Sequence, residues 1–306
     1  MLNRILTQIP YPLQLEQKLP TRSFNVSYQL RKSNSEQQYL LKVLTTARDF
    51  EEREQELHIQ QWLSAKNYSP PLKAWFSGKD YTWMLFSFEL TRPFMPEQDL
   101  VRLVALLKRL HQMPIPPNVK MIKLQAKARS YLSQAYAYGS PLCPILRKLT
   151  TAIRKLRLPS QRHRPLCLCH LDLHPGNVLF TPDQLYLIDF ETAGLADPLY
   201  DLAQLGFYLG FNEEELKALA YLYDSNMEHS KLDIYLSYQK LCRLIFLSYL
   251  SYRQCYRHGH LPELNPHLSK GENTFRALIK NYSLSLTLKQ QEALEVDLFS
   301  AGLSLI

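Results

Sequence analysis

The residues between His170 and Asp189 are of the types that phosphoryl transfer requires. Asp172 can accept the proton of an attacking hydroxyl group, and Asn177, five residues later, offers an amide oxygen. Asp189 adds a second carboxylate after a short predicted hairpin. Carboxylate and amide oxygens are ligands that Mg²⁺ accepts, and Mg²⁺ bridges the phosphates of a nucleotide. The spacing indicates a catalytic centre with Asp172 as general base and with Asn177 and Asp189 as metal ligands.

The sequence around these residues predicts the hairpin that would position them. An apolar run, Leu166 to Cys169, leads into the motif, and Val178 to Phe180 predicts a short strand. Thr181-Pro182-Asp183 predicts a turn, and Leu185 to Ile188 predicts the returning strand. Because the two open ends of a hairpin lie side by side, both metal ligands should point at the same site.

The order His-x-Asp-x4-Asn, followed by strand, turn, strand and Asp, resembles the catalytic loop and metal-binding Asp of the protein-kinase-like fold. His174 to Asn177 and Asp189-Phe190-Glu191 are similar to the versions in the aminoglycoside phosphotransferase and choline kinase superfamily. This resemblance implies ATP and Mg²⁺ as cofactors, a catalytic role for Asp172, His170 and Asn177, and Glu191 as a further metal ligand. It extends from about residue 20 to residue 256.

One lysine in the N-terminal third matches the nucleotide-binding lysine of this superfamily. Lys42 lies in the apolar run Tyr39 to Leu44, where an unpaired ammonium group would be costly to bury. The resemblance supplies two partners, the nucleotide phosphates and a Glu of the following helix, for which Glu54 matches best. Glu51 and Glu56 remain alternatives for that Glu, and a strand lysine that extends its amine into solvent is the alternative for Lys42.

The nucleotide-binding loop is expected at Thr21 to Tyr28. Relatives commonly carry paired glycines where this chain has Thr21-Arg22, so the backbone freedom that glycine provides near phosphate is missing. Asn25 fits the Asn of the family pattern, and an ordinary turn residue is its alternative. Trp83 to Phe88 predicts a strand that leads into Glu89 to Pro96, which by resemblance is the hinge that contacts adenine.

Secondary-structure patterns and the resemblance together predict an α+β, two-lobed protein-kinase-like fold. Residues 1 to 90 are expected to form a small β-rich, nucleotide-binding N-lobe with one helix. Its first hairpin should join Ser23 to Leu30 with Tyr39 to Leu44. Residues 91 to 306 are expected to form a larger, mainly helical C-lobe for catalysis and substrate binding, with a helix that begins at Pro96.

Two features of the C-terminal half leave alternatives open. Asp201, in the first turn of a predicted helix, would by resemblance support the catalytic loop through hydrogen bonds, with His170 as a candidate partner; an acid that complements the helix dipole is the alternative. A stripe at three- and four-residue steps is typical of a buried core, and its other interpretation is an aromatic wall for a cationic head group. The stripe consists of Tyr235, Tyr238, Cys242, Phe246, Tyr249, Tyr252 and Tyr256.

Composition limits the class of protein. A hydrophobic fraction of 46% and a charged fraction of 21% are typical of a globular enzyme, and no apolar run is long enough to span a bilayer. The start Met1 to Arg4 lacks the apolar core of a signal peptide, so a cytoplasmic location is expected. Five cysteines do not suggest a disulfide framework, and Cys167-x-Cys169 has the alternation of a strand rather than the spacing of a zinc site. We expect reduced core cysteines.

Charge is distributed unevenly along the chain, whose net charge is +8. Between Asp99 and Asp172 there are fourteen Lys and Arg and no acid, which gives +14. Residues 173 to 306 hold sixteen acids and ten bases, which gives −6. A basic stretch can indicate nucleic acid, an acidic membrane surface or nucleotide phosphates as a partner, but solvated helix faces explain most such stretches, and nucleic acid is not expected here. The acidic final third favours a cationic substrate.

These observations predict an enzyme that uses ATP and Mg²⁺ to phosphorylate the hydroxyl of a small cationic alcohol. Ile188 to Glu191 followed by Asp197 to Asp201 is more similar to bacterial choline, ethanolamine and thiamine kinases than to aminoglycoside resistance enzymes. A kinase for an aminoglycoside or another sugar or amino alcohol is one alternative. A pseudokinase that binds an acidic partner through the basic stretch is another, favoured by the missing glycines and opposed by the complete set of catalytic candidates.

Overall fold

The computed structural model of the chain describes residues 1–20, 25–137, 143–156, 158 and 165–259, with side chains given for all of these except 143–146 and 250–259. The chain divides into two compact units. The first consists of Met1–Lys120 with Cys167–Leu195, and the second of Met121–Leu166 with Ala196–Ile306. The predicted catalytic hairpin therefore belongs to the same unit as the N-terminal sheet.

A five-stranded antiparallel sheet forms the centre of the first unit, with strand order β1-β2-β3-β5-β4. Its strands are β1 (Leu13–Leu19), β2 (Val26–Lys32), β3 (Gln38–Thr45), β4 (Leu72–Ser77) and β5 (Tyr81–Ser87). The predicted first hairpin is confirmed, because Leu30 of β2 pairs with Tyr39 of β3. Strands β1 and β4 were not predicted. They lie at the two edges of the sheet, and none of their side chains is fully buried.

A different helix packs against each face of this sheet. The described part of residues 1 to 90 contains two helices rather than the one predicted. The short helix that was not predicted, α1 (Leu2–Leu6), contributes Ile5 to a core with alternate strand residues that include Leu41 and Val43. Helix α2 (Phe50–Ser64) contributes Leu57 to a second cluster that includes Leu44. Because alternate residues of a strand point to opposite faces, Lys42 shares a face with Leu44 and is directed toward α2. The sheet thereby places an ammonium group beside the glutamates of that helix.

The first unit also contains the elements that form the predicted catalytic loop and hairpin, together with a helix and two further short strands. They are α3 (Pro96–His111), β6 (Cys167–Cys169), a 3₁₀ turn (Pro175–Asn177), β7 (Val178–Phe180), β8 (Leu185–Leu187) and β9 (Gly194–Ala196). The predicted catalytic hairpin is confirmed, since Val178 pairs with Leu187 and Phe180 with Leu185. Strands β6 and β9 form a separate small sheet. The helix predicted to begin at Pro96 is confirmed as α3.

The second unit is helical in its described part. It contains α4 (Leu124–Ala137), α5 (Cys143–Lys155), α6 (Pro198–Tyr208), α7 (Glu213–Tyr223) and α8 (His229–Gly259), and α8 packs against each of the other four. Tyr235, Tyr238 and Cys242 of the predicted stripe are buried, which confirms the core interpretation for these three. Tyr252 and Tyr256 lie outside the described side chains. Within the described ranges, no helix combines the length and apolar character that a bilayer crossing requires.

Candidate active site

Lys42 of β3 is paired with two carboxylates. Its Nζ lies 2.7 Å from Oε1 of Glu56 and 2.7 Å from Oδ1 of Asp189. Burial alone would lower the pKa of Lys42, but attraction by these two carboxylates outweighs burial and raises it above the ordinary value. The ammonium group therefore stays charged while its side chain is 14% exposed. Lys42 is not a strand lysine that extends into solvent.

Glu56, rather than the predicted Glu54, is the acid of α2 that pairs with Lys42. Glu56 lies three and seven residues before the buried Ile59 and Leu63, on the helix stripe that faces the sheet, and its side chain is 1% exposed. Glu54 lies about 200° away around the helix axis, where its carboxylate accepts a hydrogen bond from the Ser77 hydroxyl. The prediction of Glu54 as the partner of Lys42 is wrong. The family pattern does not show which of the neighbouring glutamates lies on the side of the helix that faces the sheet.

Arg48, which sequence reasoning missed, connects Glu56 to the segment that follows Asp189. Its Nη1 donates to Oε2 of Glu56, and its Nη2 donates to the backbone carbonyl of Glu191 at 3.2 Å. Glu56 thus accepts from Lys42 with one carboxylate oxygen and from Arg48 with the other. Charge-assisted bonds of this kind hold the carboxylate in one orientation. An arginine in a loop before a helix gave no sequence signal, since only the fold brings it to Glu56.

The surroundings shift the pKa values of Asp189 and Glu191 in opposite directions. Burial would raise the pKa of Asp189, but attraction by Lys42 outweighs it and keeps that pKa below its ordinary value. Burial together with repulsion by Asp189 raises the pKa of Glu191. Asn25 donates from Nδ2 to Oε2 of Glu191 at 3.1 Å, which places the predicted loop asparagine beside this segment. Residues 21–24 of the predicted nucleotide loop lie outside the described residues.

Hydrogen bonds within the catalytic loop fix Asp172 and Asn177 relative to each other. Nδ2 of Asn177 donates to the backbone carbonyl of Asp172 at 2.8 Å and lies 3.3 Å from its Oδ2. The backbone carbonyl of Asn177 accepts from the N–H of Ile188 at 3.0 Å. Nε2 of His170 lies 2.8 Å from the carbonyl oxygen of Ile188. The loop and the strand end before Asp189 are therefore held together, as the hairpin pattern predicted.

Two residues of this site adopt a backbone conformation that favours glycine. The φ angle is 61° at Leu171 and 66° at Asp189. Residues other than glycine occupy this region at a cost of about 1–3 kcal/mol, and such residues concentrate at functional sites. The bond between His170 and the Ile188 carbonyl joins the residues that immediately precede both positions. This link helps to maintain both strained conformations, and His170 itself is fully buried.

The donor set of Asn177, Asp189 and Glu191 fits a divalent cation with hard ligands. Nδ2 of Asn177 faces Asp172, so its amide oxygen lies on the other side of the amide group. Asp189 is ionised, because its pKa is lowered, and its side chain remains 30% exposed. The repulsion between Asp189 and Glu191 is of the kind that a bound cation relieves. Oxygen ligands of these types suit Mg²⁺.

The segment predicted to be the adenine hinge is attached to the catalytic hairpin. The N–H of Arg92 donates to the carbonyl of Phe180 at 2.9 Å, at the end of β7. The Arg92 guanidinium forms two bonds with the Asp99 carboxylate, of 2.7 and 2.6 Å, near the start of α3. Arg92 thus connects the predicted hinge to the end of β7 and to the start of α3.

Asp201 belongs to the second unit. It lies in the first turn of α6, as predicted, and is fully buried. The N-cap residue of the same helix, Asp197, accepts from the N–H of Leu199 at 3.0 Å and from the Tyr238 hydroxyl at 3.0 Å. Support of the catalytic loop by Asp201 stays a prediction.

Comparison with known proteins finds similar sequences and similar solved structures. Protein LicA of Haemophilus influenzae is 51% identical over 37 residues, which is 12% of this chain and 14% of that protein. The chain thus matches well under two thirds of that curated relative's length. The choline kinase LicA from Streptococcus pneumoniae has a similar structure, with a TM-score of 0.63 and 17% identity, covering 92% of this chain and 98% of that chain.

A second solved structure is the amicoumacin kinase hAmiN in complex with AMP-PNP, Ca²⁺ and Ami. Its TM-score is 0.61 at 16% identity, and the match covers 92% of this chain and 93% of that chain. These similarities confirm the predicted kinase-like α+β fold, with a β-sheet N-terminal region and a helical C-terminal part. A family model described as the phosphotransferase enzyme family (APH) matches residues 22–232. Since that match spans more than half of the sequence, the chain belongs to the phosphotransferase enzyme family.

Proposed function

We propose that this protein transfers the γ-phosphate of ATP to the hydroxyl of a small cationic alcohol. The observation that carries the proposal is the contact of Lys42 with both Glu56 and Asp189, each at 2.7 Å, in the unit that also holds the Asp172–Asn177 loop. Membership of the phosphotransferase family supports the reaction class. The neighbour solved with AMP-PNP and Ca²⁺ supports a nucleotide and a divalent cation as cofactors.

The residues of the nucleotide side have separate roles in this proposal. Lys42 would bind the nucleotide phosphates, since it remains charged and is 14% exposed. Glu56 and Arg48 would keep Lys42 oriented, because the two oxygens of Glu56 bond one to each cation. Asn177 and Asp189, with Glu191, would hold Mg²⁺. When bound, Mg²⁺ offsets the negative charge of the phosphates.

Asp172 would accept the proton of the alcohol. Its backbone carbonyl accepts a bond from Asn177, which fixes the position of the residue. Its Oδ2 lies 3.3 Å from the same amide nitrogen, so Oδ1 is the oxygen best placed to take a proton. A positioned general base typically contributes 10²–10⁴ in rate.

The cationic substrate follows from charge and from the neighbours. Residues 173 to 306 carry −6, and a cation that leaves water needs an opposite charge or an aromatic face. One structural neighbour is a choline kinase. Tyr235 and Tyr238 are buried in the core of the second unit, so the proposed charge preference rests on acids rather than on these two rings. Choline, ethanolamine and thiamine are therefore the first acceptors to test.

The proposal is tested by following phosphate transfer with ³¹P NMR in the presence of ATP, Mg²⁺ and each alcohol. We expect a phosphomonoester from at least one cationic alcohol. Asp172→Asn should lower turnover by about 10²–10⁴ and leave the Kd of Mg-ATP, measured by calorimetry, within about twofold, because the carboxylate acts on the acceptor. Asp183→Asn, at an exposed acid of the β7–β8 turn, is the matched control and should behave like the wild type.

Two outcomes would contradict this account. A loss below about tenfold in Asp172→Asn would remove Asp172 from the role of general base. Binding of ATP without transfer to choline, ethanolamine, thiamine or an aminoglycoside would favour the pseudokinase alternative. Transfer to the aminoglycoside alone would support the proposed reaction but would show that the substrate is an aminoglycoside.

A further inference from the structure

Three side chains with soft ligand atoms meet beside the strand that leads into the catalytic loop. Cys167 and Cys169 are two residues apart in β6, so both leave the strand on the same face. Their Sγ atoms are 3.6 Å apart. His111, the last residue of α3, brings a ring nitrogen, and the three ligand atoms all lie within 4.8 Å of one another. We propose that His111, Cys167 and Cys169 bind one Zn²⁺ ion.

The distances are close to those that zinc requires. With Zn–S bonds of about 2.3 Å and tetrahedral angles, two sulfur ligands lie about 3.8 Å apart. The observed sulfur separation of 3.6 Å already meets this requirement. A sulfur and an imidazole nitrogen bound to the same ion lie about 3.6 Å apart. Since the three ligand atoms lie within 4.8 Å of one another, the ring nitrogen of His111 would have to move by up to about an ångström to bind the ion. Rotation about its side-chain bonds can supply a shift of that size.

The charge of the ligand set suits a buried ion. All three residues are buried, with relative exposures of 9% for His111, 7% for Cys167 and 0% for Cys169. Zinc binding displaces the thiol protons, and two thiolates with a neutral imidazole balance the charge of Zn²⁺. A neutral complex avoids the large penalty of burying a net charge. Three protein ligands leave one position for water or a small thiol.

The ligand atoms of this site differ in kind from those of the site proposed for Mg²⁺. The catalytic candidates offer hard oxygen atoms, whereas the cluster offers two sulfurs and a nitrogen, which favour zinc over magnesium. The spacing Cys167-x-Cys169 alone predicts only a strand. The third ligand comes from α3, which packs against β6, and is 56 positions from the nearer cysteine in sequence. A bound ion would connect the end of α3 to the strand that precedes His170.

The test uses reduced, chelator-treated protein in excess Mg²⁺. Titration with Cd²⁺, a probe whose bonds to thiolates absorb in the ultraviolet, should reach an endpoint at one equivalent, and Zn²⁺ should displace it. Cys167→Ser and His111→Gln should each weaken binding at least tenfold. Cys242→Ser is the matched control, because Cys242 is a buried cysteine of the second unit, and it should bind like the wild type.

A measurement on the unmodified protein covers the case in which a variant fails to fold. X-ray absorption of the Zn²⁺-loaded wild type should show two sulfur ligands together with nitrogen, and the melting temperature should rise with Zn²⁺ concentration. Coordination by oxygen and nitrogen alone, or unchanged Cd²⁺ affinity in Cys167→Ser and His111→Gln, would overturn the proposal. None of these measurements depends on kinase activity.

Discussion

Lys42 shows how a residue that is costly to bury becomes a candidate ligand for phosphate. Its ammonium group lies between carboxylates that belong to α2 and to the segment after β8. Glu56 is itself bonded to Arg48, so that two cations and two anions alternate in one chain of contacts. Breaking one partner of a buried ion pair leaves the other charge uncompensated, which is more damaging than losing an exposed pair. The site should therefore respond strongly to a single change at Glu56.

A neutral Glu56 should weaken nucleotide binding. Glu56→Gln removes the charge that holds Lys42 and Arg48, and we expect kcat/KM for ATP to fall by about tenfold or more, which corresponds to about 1.4 kcal/mol. Glu54→Gln, two positions away on the same helix and bonded to Ser77, should change it by less than about twofold. Steady-state kinetics with ATP as the varied substrate distinguish the two. A larger effect from Glu54→Gln would restore the original prediction.

Removal of the charge at Asp189 should abolish metal-dependent nucleotide binding. Asp189→Ala deletes an ionised ligand that the neutral amide of Asn177 cannot replace. Calorimetry with ATP in Mg²⁺ and in chelator should show equal, weak binding for this variant and a clear difference for the wild type. Asp183→Ala, at an exposed turn position of the same hairpin, controls for the loss of an acid. An unchanged affinity for Mg-ATP would show that Asp189 is not a metal ligand.

Sequence reasoning found the site residues whose geometry is local. Asp172, Asn177 and Asp189 are separated by one loop and one hairpin, and turn and strand patterns suffice to bring them together. The contacts of Glu56 with Arg48 and Lys42 could not be predicted in the same way, although these residues are only eight and fourteen positions apart. Their roles depend on which face of α2 meets the sheet.

At the scale of elements, the start of α3 supports the segment predicted to be the hinge. Asp99 accepts two bonds from the Arg92 guanidinium and one from the N–H of Met95 at 2.8 Å, and it is fully buried. The hydrogen bond from Arg92 lowers the pKa of Asp99, which outweighs the effect of burial. The helix start, the hinge and β7 are thus joined through Arg92.

This arrangement predicts a specific loss of stability. Asp99→Asn should lower the free energy of unfolding by about 1–2 kcal/mol, because bonds to a charged group are replaced by weaker ones. Glu97→Gln, an exposed acid in the same first turn, should have little effect. Urea unfolding of both variants measures the difference. Equal stability of Asp99→Asn and the wild type would show that the Arg92 contact contributes nothing.

The same carboxylate predicts a pH dependence with a defined sign. Since folding lowers the pKa of Asp99, its contribution to stability is complete above the ordinary Asp value of about 4. It is lost as the pH falls through the lowered pKa. The stability difference between the wild type and Asp99→Asn should therefore shrink as the pH falls below about 4. A difference that grows on acidification would contradict the assignment.

Elements with a strong period or a clear start could be predicted, whereas the edge strands β1 and β4 could not. The β2–β3 and β7–β8 hairpins and the proline-started α3 agree with their patterns. Strand β1 is a largely exposed edge strand, so hydrophobic burial gives it little signal. The grouping of the catalytic hairpin with the sheet also escaped prediction, since it depends on long-range packing.

At the scale of the whole molecule, charge differs between successive parts of the chain. Asp99 is followed by a stretch of +14, and residues 173 to 306 carry −6. An acidic third would raise the local concentration of cations and offset the hydration that a cation loses on binding. If the protein transfers phosphate to a cationic alcohol, it should therefore distinguish alcohols of the same size by their charge.

The most direct test compares kcat/KM for choline with that for its uncharged carbon isostere, 3,3-dimethylbutan-1-ol, in the same ATP-dependent assay. The two alcohols have nearly the same shape and differ in one positive charge. We expect choline to react at least tenfold faster, which corresponds to about 1.4 kcal/mol of preference in the transition state. Equal specificity constants for the two alcohols, with thiamine and aminoglycosides inactive, would contradict the account and identify the acidic third as a solvated surface.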